Sequence, residues 1–232
     1  MEFPHILLAS AFWQAVLSGL VVTVTLTLGS MAAGLALAVP IALARTRGPK
    51  PLAALAAAYV FVLRGIPLLI LLFIAYYGLP RLTWLRGTLF WDLVLESPFR
   101  TALFVLSINN AAYLAETIRG GLLGVGRGMI EAGRAIGMTE RQIALRVEGP
   151  LAYRAILGNL GNETVAVMKA SAIASVITVH DLMGGAMSVG NIFFDQFTPL
   201  AVVGAFYLVL VALIDRVVAG LRRRAGLEVF AT

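Results

Sequence analysis

The stretch EAGRAIGMTERQIALRVEGP, residues 131–150, carries six charged side chains in a chain of 232 residues that is 60% hydrophobic and only 13% charged. The mean hydropathy of +0.92 excludes an ordinary soluble domain. A polar segment between apolar runs is expected to leave the lipid, where charged groups are costly. We therefore interpret residues 131–150 as the part of a membrane protein that another protein holds.

Five apolar runs predict transmembrane helices, because the apolar residues are continuous and do not alternate along most of the chain. A helix is expected even where VVTVTLTL (21–28) alternates like a strand, since a lone strand in lipid would leave its backbone groups unpaired. The predicted fold is an all-α membrane protein with one domain over residues 1–232. Its predicted spans cover residues 14–44, 53–79, 99–121, 158–180 and 197–221.

Arginine and lysine residues predict the side of the membrane on which each loop lies, since cytoplasmic loops are enriched in both. The first and third loops and the tail are basic, whereas the fourth loop carries only the acids Asp181 and Asp195. This alternation predicts an N-terminus outside and a C-terminus in the cytoplasm. No Lys or Arg precedes Arg45, so no cleaved signal peptide is expected. The basic residues are Arg45, Arg47 and Lys50 in the first loop, Arg127, Arg134, Arg141, Arg146 and Arg154 in the third, and Arg222, Arg223 and Arg224 in the tail.

Several kinds of site are disfavoured by composition. The chain has no cysteine, which excludes disulfides and thiolate metal sites, and its two histidines, His5 and His180, make a poor metal site. No basic face with groove-reading residues is apparent, so nucleic-acid binding is not expected. An intramembrane hydrolase is also disfavoured, because Ser171 and Ser175 lack a nucleophile motif around them.

Start and stop signals predict a defined shape for residues 131–150, which we call the elbow. Helical residues Glu131–Ile136 are expected to continue from the third span and to stop at Gly137. Thr139 and Gln142 have the spacing of a capping box, in which two side chains satisfy free backbone N–H groups at the start of a helix.

A second short helix is predicted from about residue 140 to residue 148. Ile143 and Val147 are four residues apart and share a face beside Ala144, so the elbow is expected to show a small apolar face ringed by charge. Gly149-Pro150 is expected to break this helix and to start the next one. A solvated loop is the plainer alternative, but the capping signals favour a shape suited to docking.

The elbow resembles the EAA loop of ATP-binding-cassette importer permeases. That pattern reads Glu-Ala-Ala, three residues, Gly, a longer spacer, an apolar residue, one further residue and Leu-Pro. In this chain Gly133 stands in place of the second Ala, and Glu148-Gly149 replaces the apolar pair that usually precedes Pro. The matching residues are Glu131, Ala132, Gly137, Val147 and Pro150.

Three further stretches resemble the permeases of this family that carry polar amino acids, and they occur in the family's order. RGIPLLILLFIAYYGLP (64–80) resembles the Arg-Gly-Thr-Pro to Tyr-Tyr-Gly-Leu-Pro stretch, with Ile66 in place of Thr. NNAAYLAETIRGG (109–121) resembles the signature of the third span. NETVAVMKASAIASVITVHDL (162–182) resembles that of the fourth.

The resemblance implies a type I importer permease fold that crosses the bacterial cytoplasmic (inner) membrane several times. It also implies that residues 124–150 form a cytoplasmic loop whose coupling helix sits in a groove of a separate ATPase. This chain lacks the Gly-Lys-Ser/Thr of a Walker A loop, so ATP and Mg²⁺ are expected on the ATPase and no cofactor is expected here. The expected coupling residues are Glu131, Ala132, Gly137, Thr139, Gln142, Ile143 and Val147.

The other partners that the resemblance implies are a second permease subunit, which is a copy of this chain or a sister chain, and an external substrate-binding protein. A polar amino acid is the implied substrate. The implied mechanism is mechanical: ATP brings two ATPase subunits together, the elbows follow them, and the spans rock between inward-facing and outward-facing states. The chain itself is then a transport subunit and not an enzyme.

Ionisable residues inside the predicted spans each need a reason, because a charge near the bilayer centre costs about 2.5–3.5 kcal/mol. Glu116 and Arg119 are three residues apart on the third span and are expected to pair as a structural contact. Arg64 precedes Pro67, where a broken helix would free carbonyls for Arg64 to bond. We expect a structural or gating role for these residues.

The predicted substrate path is a polar cluster on the fourth span formed by Asn159, Asn162 and Glu163. In this interpretation Glu163 accepts a substrate ammonium group, and an interhelical hydrogen-bond knot is the open alternative. Lys169 could complement an internal acid or a carboxylate, and Ser171 follows on the same span.

Two other classes of function remain open. An ion-gradient-driven secondary transporter of amino acids would work through Glu163 and Lys169, and a catalytic membrane enzyme would need a nucleophile that the sequence does not display. A gradient-driven carrier has no need of a shaped cytoplasmic docking helix. The elbow therefore favours the importer.

Overall fold

The computed structural model describes residues 10–227, and the regular secondary structure in this range is helical throughout. His5 lies outside the described residues. Short π and 3₁₀ turns extend or join the α-helices, notably at Ile74–Gly78, Ala144–Glu148 and Ala172–Ile177. The α-helices are α1 (Ser10–Arg47), α2 (Lys50–Gly65), α3 (Leu68–Phe73), α4 (Pro98–Leu123), α5 (Arg127–Ala135), α6 (Glu140–Ile143), α7 (Gly149–Ser171), α8 (Leu182–Phe193) and α9 (Phe197–Arg224).

α1 and α4 pack against each other at the centre of the fold. Thr25 and Thr27 lie in the stretch of α1 that alternates like a strand, and each hydroxyl donates to the carbonyl four residues earlier at 2.7 Å. The helix thus satisfies these polar side chains internally, and the prediction of a helix here is confirmed. Gly34 of α1 allows close packing, because a Cβ at residue 34 would lie 2.9 Å from Nδ2 of Asn110 in α4.

The second predicted span, 53–79, is not a single helix. α2 ends at Gly65, and the helical segment Leu68–Arg81 leaves it at an angle of 100°. The bend follows from Pro67, which has no N–H to donate and which restricts Ile66 to an extended conformation with φ −92° and ψ 127°.

The fourth predicted span, 158–180, belongs to a longer helical segment that begins before residue 158. α7 continues through the 3₁₀ turn Ala172–Ile177, and α8 then leaves at an angle of 46°. The bend lies at Thr178, which adopts a left-handed conformation with φ 66°. Asp181 starts α8 by accepting a hydrogen bond from the backbone N–H of Gly184 at 2.9 Å.

Among the described helices, α1 and α9 are each long and apolar enough to cross a membrane. The number rises to four if each bent pair counts as one span. α4, which coincides with the predicted third span, is not among them, in keeping with the polar residues that it carries at Asn109, Asn110, Glu116 and Arg119. The prediction of five spans therefore stays a prediction.

Candidate functional site: a charged elbow and a cavity between helices

The elbow turns at Gly137, as predicted. Gly137 has φ +79°, and its N–H donates to the Arg134 carbonyl at 3.0 Å while the Met138 N–H donates to the Gly133 carbonyl at 3.0 Å. This pair of hydrogen bonds ends a helix in a left-handed residue, for which glycine carries no steric cost. The predicted continuity with the third span is wrong: α4 ends at Leu123, and α5 begins separately after the extended residue Gly126.

Gly137→Val is expected to reduce ATP-driven transport without preventing membrane insertion. A β-branched residue at positive φ is strained by roughly 1–2 kcal/mol, so the corner would open and the two halves of the elbow would lose their relative orientation. Uptake and ATP hydrolysis measured on the same reconstituted complex would show hydrolysis continuing with less uptake. Gly128→Val serves as the control, because a Cβ at residue 128 meets no atom within 4 Å and its φ is not positive. Wild-type transport by the variant at Gly137 would contradict the role of the corner.

The predicted capping box is confirmed at the start of α6. The Thr139 N–H donates to Gln142 Oε1 at 2.8 Å, and the Gln142 N–H donates to Thr139 Oγ1 at 3.3 Å. Each side chain thus satisfies a backbone N–H that the helix leaves free. The two residues fix where the short helix begins, directly after the corner.

The predicted break at Gly149-Pro150 is wrong, and the short helix runs on into α7. A π turn at Ala144–Glu148 lies between them, and the Gly149 N–H donates to the Ala144 carbonyl five residues earlier. A proline inside a regular α-helix clashes with the carbonyl four residues before it. The wider π turn precedes Pro150 and accommodates it near the start of α7, so no second corner forms.

Ile143 is turned inward and is only 2% exposed. It packs on Gly133 of α5, where a Cβ would lie 3.1 Å from Ile143 Cγ1. The expected outward apolar face at Ile143 is therefore wrong, while Val147 is partly buried. Gly133, which replaces the second Ala of the family pattern, was the signal in the sequence for this close approach. The outward apolar side chains on the elbow are instead Ile136, 79% exposed, and Leu145, 66% exposed.

Two ion pairs hold the elbow. Glu148 is 9% exposed and pairs with Arg47 at the end of α1. Arg134 of α5 pairs with Glu140 of α6 at 2.7 Å across the corner, in the open. The hydrogen bond from Arg134 lowers the pKa of the Glu140 carboxyl below its usual range and raises that of the guanidinium.

Acidification is expected to loosen the corner through Glu140. Because the folded-state pKa of Glu140 is lowered, the pair stabilises the elbow above the ordinary pKa of a glutamate and loses that contribution as the pH falls through the lowered value. Hydrogen exchange of the elbow amides, corrected for intrinsic rates, should increase below about pH 4.5. Glu140→Gln should start with less protection and show a smaller increase at low pH, because only the Arg47–Glu148 pair is left to titrate. The same pH profile in both proteins would contradict this assignment.

A cavity of about 340 Å³, with mostly apolar walls and a few polar side chains, lies between α4, α7 and the start of α3. Glu163 of α7 lines it, half-buried, as the predicted substrate path requires. Asn109, Asn110 and Tyr113 of α4 line the cavity as well, and sequence analysis had not assigned them to the path. The spacing of 106, 109, 110 and 113 on one helix face was the signal that could have found this second wall.

The other predicted path residues lie elsewhere. Asn159, Asn162 and Lys169 are exposed on α7 outside the lining of this cavity. Ser171 is fully buried, and its hydroxyl donates to the Met168 carbonyl at 2.7 Å. Of the five predicted path residues, Glu163 alone lines the cavity.

The broken helix at Pro67 contributes to the cavity wall. Since Pro67 has no N–H, the Leu63 carbonyl loses its helical partner. Asn109 of α4 supplies the missing donor, with Nδ2 at 2.8 Å from the Leu63 oxygen. Arg64, which was expected to bond carbonyls freed at the break, instead lies over the Tyr113 ring at 5.0 Å from its centroid.

A second cavity of about 440 Å³ lies beside the first, and Tyr113 lines both. Arg45, Arg64 and Glu116 face this second cavity. The predicted pair of Glu116 and Arg119 is confirmed, with Arg119 Nη2 at 2.9 Å from Glu116 Oε2. Arg45 of α1 also pairs with Glu116, so this carboxylate holds two guanidinium groups.

Fold and site together point to the class of membrane transport subunits: helices long enough to cross a membrane, a cavity with a few polar side chains between helices, and a charged elbow. Residues 26–226 match the family model described as binding-protein-dependent transport system inner membrane component, and the chain belongs to this family. Its members are permease subunits of ABC importers in which a separate subunit hydrolyses ATP, so the predicted class, a transport subunit and not an enzyme, is confirmed.

Named relatives are permeases of amino-acid transport systems. The L-cystine transport system permease protein TcyB of Bacillus subtilis (strain 168) is 34% identical over 95% of this chain and 91% of its own length. The octopine transport system permease protein OccM of Rhizobium meliloti is 39% identical, with 67% of this chain aligned to 63% of that protein, so the match spans less than two thirds of the relative.

Solved structures show the same fold. An amino acid ABC transporter crystallised with histidines superposes with a TM-score of 0.81 and 33% identity, over 92% of this chain and 95% of that chain. The inward-facing MetNI methionine ABC transporter superposes with a TM-score of 0.77 at 21% identity, over 94% of this chain and 99% of that chain. The all-α fold of a type I importer permease is thus confirmed.

Proposed function

We propose that this chain is the membrane-spanning subunit of an ATP-driven importer of polar amino acids. The cavity beside Glu163 carries the proposal: its volume of about 340 Å³ suits a small solute, and one acid, two amides and a phenol stand on otherwise apolar walls. A half-buried carboxylate with no ion pair among residues 10–227 is an acceptor for a substrate ammonium group. Relatives named for L-cystine, arginine and glutamine transport support the substrate class.

In this proposal the chain crosses the bacterial inner membrane five times, and the cavity lies within the membrane. The five spans are α1, the bent segment from α2 to Arg81, α4, the segment from α7 through α8, and α9. The basic first and third loops and the basic tail support a cytoplasmic C-terminus and an outer N-terminus.

The elbow is the part that engages the ATPase, which binds ATP and Mg²⁺. Its exposed apolar side chains Ile136 and Leu145 supply the contact, together with Met129 on the outer face of α5. Ile143 acts by holding α5 against α6 and not by touching the partner. The proposed coupling residues otherwise stay as the sequence indicates: Glu131, Ala132, Gly137, Thr139, Gln142 and Val147.

A second permease subunit completes the path. Asn159, Asn162 and Lys169 are polar, exposed and on α7, where contact with lipid would be costly. Another subunit packed on this face removes them from lipid. An external substrate-binding protein delivers the amino acid, as the family's description implies.

Reconstitution tests the function. The chain, its ATPase and its binding protein are placed in liposomes loaded with ATP, and radiolabelled polar amino acids are screened for uptake. Uptake that needs ATP hydrolysis and persists when ionophores collapse the ion gradients supports the importer. Uptake driven by an imposed ion gradient without ATP would instead support a secondary transporter working through Glu163, which the family match disfavours.

A further inference from the structure

The last turn of α1 joins two distant parts of the chain through two arginines. Arg45 pairs with Glu116 near the end of α4, and Arg47 pairs with Glu148 in the π turn of the elbow. Side chains two positions apart on a helix point to nearly opposite sides. The end of α1 therefore lies between α4 and the elbow and contacts an acid on each.

Both acids of these pairs are sheltered from solvent, and so is Arg45, whereas Arg47 is exposed. Glu148 is 9% exposed, and both Arg45 and Glu116 are partly buried. By contrast, Arg100 and Glu96 form an exposed pair at the start of α4, at 2.6 Å. Salt screens buried pairs less than exposed ones, and removal of one buried partner strands the other charge. The two pairs with a buried acid join separate helices and are thus fit to transmit force, whereas the exposed pair of Arg100 and Glu96 joins residues four apart and is not.

The backbone links the elbow to the two helices that line the cavity, α7 and α4, in different ways. α7, which carries Glu163, continues from α6 without a corner. α4, which carries Tyr113, is separated from α5 by a link in which Gly126 is extended. A rigid connection from the elbow to α7 exists in the helix itself, but a rigid connection to α4 has to come from side chains.

We propose that Arg47–Glu148 and Arg45–Glu116 form an arginine clamp that makes α4 move with the elbow. The clamp rests on the proposed function, since it transmits the displacement that an ATPase imposes on the elbow. Both walls of the cavity then respond together: α7 through the helix and α4 through α1. In the family pattern Glu148 falls at the unrestricted position between the apolar residue and Leu-Pro, so the Arg47–Glu148 half of the clamp follows from this structure and not from the pattern.

The test uses the complete importer in liposomes. Coupling is measured as the ratio of amino acid taken up to ATP hydrolysed. Arg47→Gln and Glu148→Gln should each lower this ratio by about fivefold or more, within the usual range of coupling between sites. The double variant R47E with E148R keeps both charges and should return the ratio to within about twofold of wild type. Arg100→Gln, the exposed control, should leave the ratio unchanged. If a single variant does not fold, uptake per ATP in the double variant can still be compared with wild type.

A distance measurement separates transmission from mere stability. The chain has no cysteine, so Leu123→Cys at the end of α4 and Tyr153→Cys in α7 take spin labels without background. The distance between the labels should stay narrow in both nucleotide states with the clamp intact, and should broaden in Glu148→Gln.

Unchanged uptake per ATP together with an unchanged label distribution in Glu148→Gln would overturn the clamp. A loss of thermal stability at a constant ratio would also overturn it, because that is the result for a purely structural contact. If the wild-type complex shows no ATP-driven uptake, the proposed function fails, and the label distances in the permease alone then decide the clamp.

Discussion

Glu163→Gln is expected to lower amino-acid uptake by roughly tenfold to a hundredfold. The change keeps the shape of the side chain and removes the charge that faces the cavity. A hydrogen bond to a charged group contributes about 1.5–3 kcal/mol, which corresponds to this range of affinity. Initial rates of uptake across a range of substrate concentrations, compared with ATP hydrolysis by the same complex, would measure the loss.

Assembly provides the control for this result. Glu96→Gln removes an exposed acid outside the cavity and should leave uptake at the wild-type level. Both variants should yield complexes of normal size on gel filtration. If Glu163→Gln left both the kinetics and the choice of substrate unchanged, Glu163 would serve only to pack helices, as the hydrogen-bond alternative holds.

Ile143→Asp is expected to abolish co-purification of the ATPase. Ile143 is 2% exposed against Gly133, and a charge there has neither solvent nor a partner prepared for it. Burying an unpaired charge costs several kcal/mol, so α5 and α6 would separate and the elbow would lose its shape. Affinity purification of the tagged permease, with the ATPase quantified in the eluate, would measure the effect.

Ile143→Val is the matched control, because it removes one methylene group at a cost of only about 0.5–1.5 kcal/mol. It should retain most of the ATPase. Leu145→Asp changes an exposed position and should weaken ATPase binding while elbow amides keep their protection from hydrogen exchange. Recovery of a normal amount of ATPase with Ile143→Asp would contradict the packing role assigned to this side chain.

Local chemistry made part of the elbow predictable. A left-handed glycine and a capping box depend on residues within a few positions of one another, so Gly137 and Thr139 could be read directly from the sequence. The π turn before Pro150 could not, because its wider hydrogen bonding depends on how the helix is held at both ends. The same limit applies to the break between α4 and α5, where the apolar pattern gave no stop.

The features that the sequence did not predict depend on packing between residues far apart in the chain. Ile143 lies in a run that suggests an exposed apolar face, but its environment is set by Gly133 on another helix. Arg47 and Glu148 are 101 residues apart, and no periodicity in the sequence relates them. In the cavity, the charge of Glu163 was conspicuous in an apolar span, whereas Asn109 and Tyr113 acquire their role only when α4 is placed beside α7.

The bond between Asn109 and Leu63 determines the polarity that the cavity offers to a guest. With Nδ2 donating one hydrogen to the Leu63 oxygen, the amide is held in the cavity wall and keeps its second N–H and its carbonyl oxygen Oδ1, which is an acceptor. Glu163 on the facing helix is an acceptor as well. A donor-rich cargo is what the proposed role of Glu163 calls for, and the hydrogen that one proline nitrogen lacks leaves free the carbonyl that anchors Asn109 in the wall of this chamber.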